Sequence, residues 1–299
     1  MGLGITDLSL LIQLAESGHI ESGQAVIEIG AQQLSDDFLQ WREGLAHVAA
    51  VHGISAPCPL PAPLGSTGIV HGKLLHLSPK APLASQFWTW LGYRYASIDI
   101  DGTPGSIPLD LNYDDAPEAH RGAYRIVTNC GTTEHVANQL NAFKIIHELA
   151  AVGGVMVHNL PAQGMFNHGF VNYNPKFFWM LARSNGYRLV HMNFSSHDSY
   201  YPLPENVFDS IAVFDASAAE RLKGYQATDC GLIVALEKVY DTPYVPPLDV
   251  RTGTTPPNAA IRDRYWSVFK PDPFSRYSRH AISAGRRVWR AIKRKARSI

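Results

Sequence analysis

Three histidines stand where a side chain can take up or hand over a proton. His135 follows Glu134 at the end of the polar run Asn129-Cys130-Gly131-Thr132-Thr133, and His158 with Asn159 closes the apolar run Val155-Met156-Val157. His168 lies in residues 163–175, QGMFNHGFVNYNP, with Gly164 and Gly169 on either side and Asn167, Asn172, Tyr173 and Asn174 close by. An imidazole titrates near neutrality, so such residues suit a general base or a group that orients an acceptor. His168 is the leading catalytic candidate and His135 the second, with Asn172 and Tyr173 shaping the substrate-binding pocket. Plainer roles stay open. His168 can cap a turn while Tyr173 packs under a helix at 175–183, and Glu134 can meet a helix dipole while His135 bonds a neighbouring loop. In the run SSHDSYY (195–201), His197 and Asp198 can touch substrate, although turn chemistry explains them more simply.

The elements that position these groups are legible around them. Ile126 and Val127 belong to a short strand that stops at Asn129 and Gly131. Val136, Leu140, Phe143, Ile146, Leu149 and Ala150 then recur at helical spacing, and Gly153-Gly154 end that helix before the next strand. His147 falls on the same stripe and is expected to be a hydrogen-bonded core residue. Strand, helix and strand make one βαβ unit, whose ligands collect outside the carboxyl ends of the strands.

Taken together, the run from Tyr124 to Pro161 resembles the fourth and fifth strand region of class I S-adenosylmethionine-dependent methyltransferases. Four further segments, in order, are similar to that family over residues 20–240. QAVIEIG (24–30) resembles the first strand and its glycine turn, YASIDIDG (95–102) the second strand, PLDLN (108–112) the loop after the third, and TDCGLIVALEK (228–238) the antiparallel last strand. The resemblance implies an α/β fold: a Rossmann-like, mostly parallel sheet flanked by helices, with an antiparallel last strand. It also implies S-adenosylmethionine as cofactor. Glu28 and Gly30 would serve its methionine part, Asp99 (with Asp101 as competitor) its ribose and Asp110 its adenine, with Asn129 on the same edge. Where the family repeats glycine, this chain has Gln32, whose side chain narrows the space for the cofactor yet brings an amide that can bond it.

The interval from Gly30 to Asp99 exceeds one helix and two turns. Residues 36–52 read as an amphipathic helix with Phe38, Leu39, Leu45, Val48 and Ala49 on one side. Residues 54–82, rich in proline, glycine and serine, read as an ordered excursion or lid, so the insertion spans about 36–82. Residues 82–92 supply a returning helix whose Phe87, Trp88 and Trp90 are expected in the core.

Of the 299 residues 45% are hydrophobic, enough for one α/β domain over 1–250, followed by an extension at 251–299. Net charge is zero, but from Arg279 onward there are 8 basic and no acidic residues, against 18 basic and 26 acidic before it. Ile282, Val288, Trp289, Ile292 and Ile299 form an apolar stripe beside that basic face, so the tail can lie on an anionic membrane surface, or else dock on the acidic body. Nucleic acid is not expected as a partner.

Cys58, Cys130 and Cys230 include no close pair, and the 13 histidines form no His-Glu-x-x-His pattern, so no disulfide and no metal site are expected. No signal peptide or membrane span is seen, and cytoplasmic residence is the default, with peripheral contact at the inner membrane surface through the tail. The expected activity is methyl transfer from S-adenosylmethionine to an oxygen, or less favourably a nitrogen, of a small molecule or glycan. The alternatives are a non-catalytic scaffold of the same fold and a nicotinamide-dependent oxidoreductase, the latter lacking its Gly-x-Gly-x-x-Gly turn.

Overall fold

The structure is a computed structural model that describes residues 2–62, 69–70, 73–74, 81–166, 168–196, 230–249 and 257–265. In chain order the elements are β1 (Gly2–Leu3), α1 (Ile5–Glu16), β2 (Ala25–Ile29), β3 (Gln33–Leu34), α2 (Asp36–Gln40), α3 (Arg42–Val51), β4 (Ile69–Val70) and β5 (Lys73–Leu74). There follow α4 (Ala84–Trp90), β6 (Arg94–Asp99), β7 (Ile107–Pro108), β8 (Tyr124–Cys130), α5 (Gln139–Leu149), β9 (Ala150–Gln163), α6 (Pro175–Asn185), β10 (Arg188–Ser196), β11 (Cys230–Glu237) and α7 (Ala259–Arg264).

Seven strands form one sheet in the order β10-β11-β9-β8-β2-β6-β7. From β9 to β7 every pair is parallel, whereas β11 runs antiparallel to both β9 and β10. The expected parallel crossover and antiparallel last strand are both present. Because the chain winds from β2 toward β7 and then returns through β8 and β9, the winding reverses between β2 and β8, the position where open α/β sheets bind ligands.

Period-2 alternation along the strands feeds two cores. Ile27, Ile29, Val127, Met156 and Val234 pack on one face with Phe143 of α5 and Phe178 of α6. Val26, Ile126, Val155, Val157 and Ile233 face the other way, against Leu11 of α1, Val48 of α3 and Trp88 of α4. Sheet residues with apolar neighbours on both sides explain the near-continuous hydrophobic runs of β2 and β9.

Several sequence expectations change in detail. The helix expected over 36–52 is two helices, broken at Trp41 (φ −77°, ψ 66°), whose indole lies where a Cβ on Gly44 would have to fit. Its five apolar residues are all buried as expected, as are Phe87 and Trp88. Helix α5 starts at Gln139, capped by the Asn138 side chain, so Val136 precedes it and Leu140 faces solvent rather than the core. Gly153 and Gly154 do not end that helix. They lie inside β9, where Gly153 takes φ +75° beside a shift in the β8–β9 register. His147 is the core residue expected, its Nδ1 2.6 Å from the Tyr187 hydroxyl and its Nε2 2.7 Å from the Thr242 carbonyl. Burial holds its pKa down at about 4.

Within the 54–82 excursion, β4 and β5 pair antiparallel; 63–68, 71–72 and 75–80 lie outside the described residues, as do Asn167, His197, Asp198 and the basic tail from Arg279. Among the described residues no helix is long and apolar enough to cross a membrane.

Candidate functional site

At the carboxyl end of β2 the chain turns at Gly30, with φ +78° and its amide donating to Ile98 O at 2.8 Å. A Cβ there would be strained by the dihedral and would collide with Thr132 Oγ1, so only glycine lets the two strand ends approach. Thr132 Oγ1 in turn donates to Ile29 O at 2.7 Å. Gln32 is buried and folds back on the turn, its Nε2 donating to Gly30 O at 2.9 Å and Ile29 O at 3.1 Å, while its Oε1 is left without a partner.

Beneath the turn, Glu28 is 0% exposed. Its carboxylate accepts from Trp88 Nε1 at 2.8 Å, the Tyr95 hydroxyl at 2.8 Å and Gln32 N at 3.0 Å. Burial outweighs these bonds and pushes its pKa up to about 7. The expected cofactor contact is corrected here. Glu28 offers no exposed atom and braces β2, α4 and β6 from inside.

Asp99 ends β6 half-buried beside the same turn, Oδ2 accepting from Ala31 N at 2.8 Å and Oδ1 from Asp101 N at 3.2 Å. Its competitor Asp101 is exposed and engaged with Thr103, whose side-chain and backbone hydrogen bonds hold that carboxyl below the usual range. Asp110 follows β7 half-buried, its Oδ1 accepting from Asn112 N at 2.8 Å. Gly30, Gln32 and Asp99 are thus brought together, with Asp110 on the next loop of the same edge.

On the β8 side the expectations divide. Asn129 is fully buried: its Nδ2 donates to Thr133 Oγ1 at 2.9 Å and lies 3.2 Å from His158 Nδ1, and its Oδ1 accepts from Thr133 N at 3.3 Å. Tyr173 is buried as well, its hydroxyl bonding Thr133 Oγ1 at 2.9 Å and Gln139 Oε1 at 2.6 Å. Neither has a polar atom left for a ligand, because both are spent on holding the loop after β8; this corrects the cofactor and substrate roles expected of them. His158 is sealed against Phe143 and Phe178, and burial depresses its pKa to about 3, so it does not line the edge as expected. Asn172 is exposed and donates to Gly164 O at 3.0 Å.

His135 and His168 do meet, around Glu134. Glu134 sits in a 3₁₀ turn (Thr133–His135) rather than at the start of a helix, and it is 0% exposed with no hydrogen bond to either carboxylate oxygen. From Glu134 Oε1, His168 Nε2 is 3.7 Å away and His135 Nε2 3.8 Å, and the two rings are 5.4 Å apart. His168 Nε2 is buried and also unpartnered. Partial burial lowers the His135 pKa; Glu134 opposes that shift and His168 adds to it.

The segment after β9 is folded tightly onto this group. Phe170 N donates to Glu134 O at 2.7 Å, and a Cβ on Gly169 would meet Glu134 Cγ at 2.9 Å. Met165 adopts φ +52°, an uncommon conformation for a side-chain-bearing residue, and His168 N donates to its carbonyl at 3.1 Å. Glu134 as the buried centre of the group was missed from sequence. Its one signal is a second histidine between glycines after the following strand, and joining the two requires knowing that β8 and β9 are neighbours.

No protein-family model matches the chain, and no curated protein matches it. Among solved structures it is similar to 1,6-didemethyltoxoflavin-N1-methyltransferase of Burkholderia thailandensis, at 9% identity over 78% of this chain and 77% of that one, with a TM-score of 0.41. Phosphoethanolamine N-methyltransferase 2 of Haemonchus contortus is similar at 11% identity over 77% of this chain and 52% of that one, TM-score 0.38. An S-adenosylmethionine-dependent methyltransferase of Archaeoglobus fulgidus is similar at 9% identity over 76% and 93%, TM-score 0.34. With its strands in the order β10-β11-β9-β8-β2-β6-β7 and β11 reversed against both neighbours, the chain has a Rossmann-like, mostly parallel α/β fold.

Proposed function

We propose that the protein is an S-adenosylmethionine-dependent methyltransferase acting on an oxygen of a small molecule or glycan. The supporting observation is the placement of the Gly30 turn and the Asp99 carboxylate together at the reversal of strand winding, with Ala31 N 2.8 Å from Asp99 Oδ2, on the edge that also carries His168. The residues fit the cofactor at two ends. Asp99 keeps lone pairs for ribose hydroxyls, and the buried, unpartnered Oε1 of Gln32 suits the ammonium of the methionine part. Asp110 would take the adenine amino group.

When bound, S-adenosylmethionine supplies an electrophilic methyl on a sulfonium. The chain's own task is to hold an acceptor lone pair in line with that methyl and to receive the acceptor's proton. His168 is the base at Nε2, 3.7 Å from Glu134 Oε1, and His135 stands 3.8 Å from the same oxygen as an acceptor-orienting group. Asn172 borders the acceptor, and Phe166 and Phe170, exposed on either side of His168, offer apolar or sugar-stacking surface. The basic tail from Arg279 would bring the protein to an anionic membrane surface.

Calorimetry with S-adenosylmethionine and S-adenosylhomocysteine tests this reading, comparing the wild type with Asp99→Ala and using NADH as control. Saturable binding that is lost in the variant is expected; no binding of either sulfur ligand by the folded wild type overturns the reading. A second reading, a scaffold without catalysis, is favoured by Gln32 and Thr132 lying over the Gly30 turn, and that negative result is its signature.

A further inference from the structure

We propose that Glu134, His135 and His168 form a binding site for one divalent first-row transition ion, of the zinc, cobalt or manganese class. One ligand atom from each residue lies within 4.8 Å of the others. Separations of 3.7 and 3.8 Å between Glu134 Oε1 and the two Nε2 atoms are too long for direct hydrogen bonds. They are close to the roughly 3.4 Å that separates two ligands at tetrahedral angles around an ion with bonds of about 2.1 Å. Small side-chain rotations close the difference.

The carboxylate makes the strongest case. Glu134 is fully buried with both oxygens unpartnered, and His168 Nε2 is likewise buried without a partner. Among the described residues the groups within ion-pair reach of Glu134 are these two imidazoles alone. A buried carboxyl left in that state is disfavoured unless a cation, a proton or a ligand shares its site, and two imidazole nitrogens facing it supply further ligands for a cation. Phe170 N and Gly169 fix the Glu134 main chain from above, so the carboxylate is placed by backbone contacts and not by the groups it faces. Two imidazole nitrogens and one carboxylate oxygen prefer transition ions over magnesium or calcium, and three protein ligands leave a position open to an exogenous one. His135 is half-exposed, which leaves a path for entry.

The use of that open position rests on the methyl-transfer reading: the ion would hold the acceptor's oxygen and lower the pKa of its hydroxyl, which favours phenol or sugar hydroxyl acceptors, and with His168 Nε2 on the ion this activation replaces the base role of that nitrogen in the metal-free site. The site itself does not depend on that reading. In the full-length chain stripped with a chelator, titration with Zn²⁺ by calorimetry and with Co²⁺ by visible absorption should show one ion per chain. Glu134→Gln and His168→Gln should each weaken it roughly 100-fold or more, with circular dichroism and metal-free Tm confirming a folded chain. Because a variant can misfold, pulsed electron paramagnetic resonance of the Mn²⁺-loaded wild type adds a direct readout, and nitrogen couplings from imidazole are expected. Absence of stoichiometric binding, unchanged affinity in folded variants, or absence of nitrogen couplings would each overturn the site. Running S-adenosylmethionine calorimetry in parallel separates the two ideas: cofactor binding without ion binding sinks only the metal site, and ion binding without cofactor binding sinks only methyl transfer.

Discussion

Glu28 and Glu134 are both completely buried, and they stand at the carboxyl ends of neighbouring parallel strands. Three donors converge on Glu28, whereas neither oxygen of Glu134 receives one. The difference separates a carboxylate used as a structural brace from one held for something absent from the chain itself. A buried acid that is fully bonded ties elements together; one without partners lowers stability unless an ion, a proton or a ligand completes it.

The largest effect expected is on the brace. Glu28→Ala removes an acceptor from Trp88, Tyr95 and Gln32 at once and opens a cavity between β2 and α4. It should cost about 3–5 kcal/mol in urea denaturation, with the midpoint falling and the slope unchanged. A loss below about 1 kcal/mol would erase the contrast with Glu134.

Next is the pH dependence that burial gives Glu28. Its folded-state pKa of about 7 lies above the ordinary 4.5 of the unfolded chain, so between those values the folded state holds a proton that the unfolded state has released. That contribution is complete below pH 4.5 and is lost as pH rises through 7, a swing on the order of 3 kcal/mol. Other buried groups titrate too; burial raises Asp7 to about 6 and lowers His158 to about 3. The informative quantity is therefore the difference in stability between wild type and Glu28→Gln from pH 4 to 8. It should shift in favour of the variant as pH rises, and a flat difference would mean that folding leaves the Glu28 pKa where it is in the unfolded chain.

For Glu134 the sign reverses. In metal-free buffer Glu134→Gln replaces a buried carboxyl whose two oxygens have no partner and should raise stability by about 1 kcal/mol, while the proposed methyl transfer falls by about 10²-fold or more, as for loss of a positioned acid–base partner. A variant less stable than wild type would place Glu134 with Glu28, as a structural residue.

These two acids also show how far the sequence could be read. The strands around Tyr124 to Pro161 and their parallel crossover follow from apolar runs punctuated by glycine and polar turns, because backbone sterics and burial act locally, whereas the reversed β11 came only from the family resemblance. Asp99 lies at the end of β6, where the strand pattern put it. Glu28 and Asn129 turned inward for a physical reason: a polar residue at the end of a buried strand can face the ligand edge or the core, and what decides it is a contact outside the strand, the aromatic donors Trp88 and Tyr95, some 60 residues away, for Glu28 and Thr133 with His158 for Asn129. The Glu134 group depended in the same way on the fold of the segment after β9, whose close approach Gly169 permits but does not announce. The break at Trp41 and the glycine pair inside β9 were missed because periodicity sees spacing and not a single dihedral.

The smallest effect sharpens the comparison at the residue between the two acids. Gln32 donates its backbone amide to Glu28 and its side-chain amide to the Gly30 turn, yet its Oε1 resembles the Glu134 oxygens in having no partner. If that oxygen receives the cofactor's ammonium, Gln32→Ala should weaken S-adenosylmethionine binding about tenfold, the value of one hydrogen bond to a charged group, and cost about 1 kcal/mol of stability from the lost bonds to Ile29 and Gly30. If instead the side chain only obstructs the turn, the same variant would bind the cofactor more tightly than wild type. Calorimetry at constant pH, with Tm measured in parallel, reads the sign directly, and tighter binding would show that the unpartnered oxygen of Gln32, unlike those of Glu134, marks crowding and not a binding position.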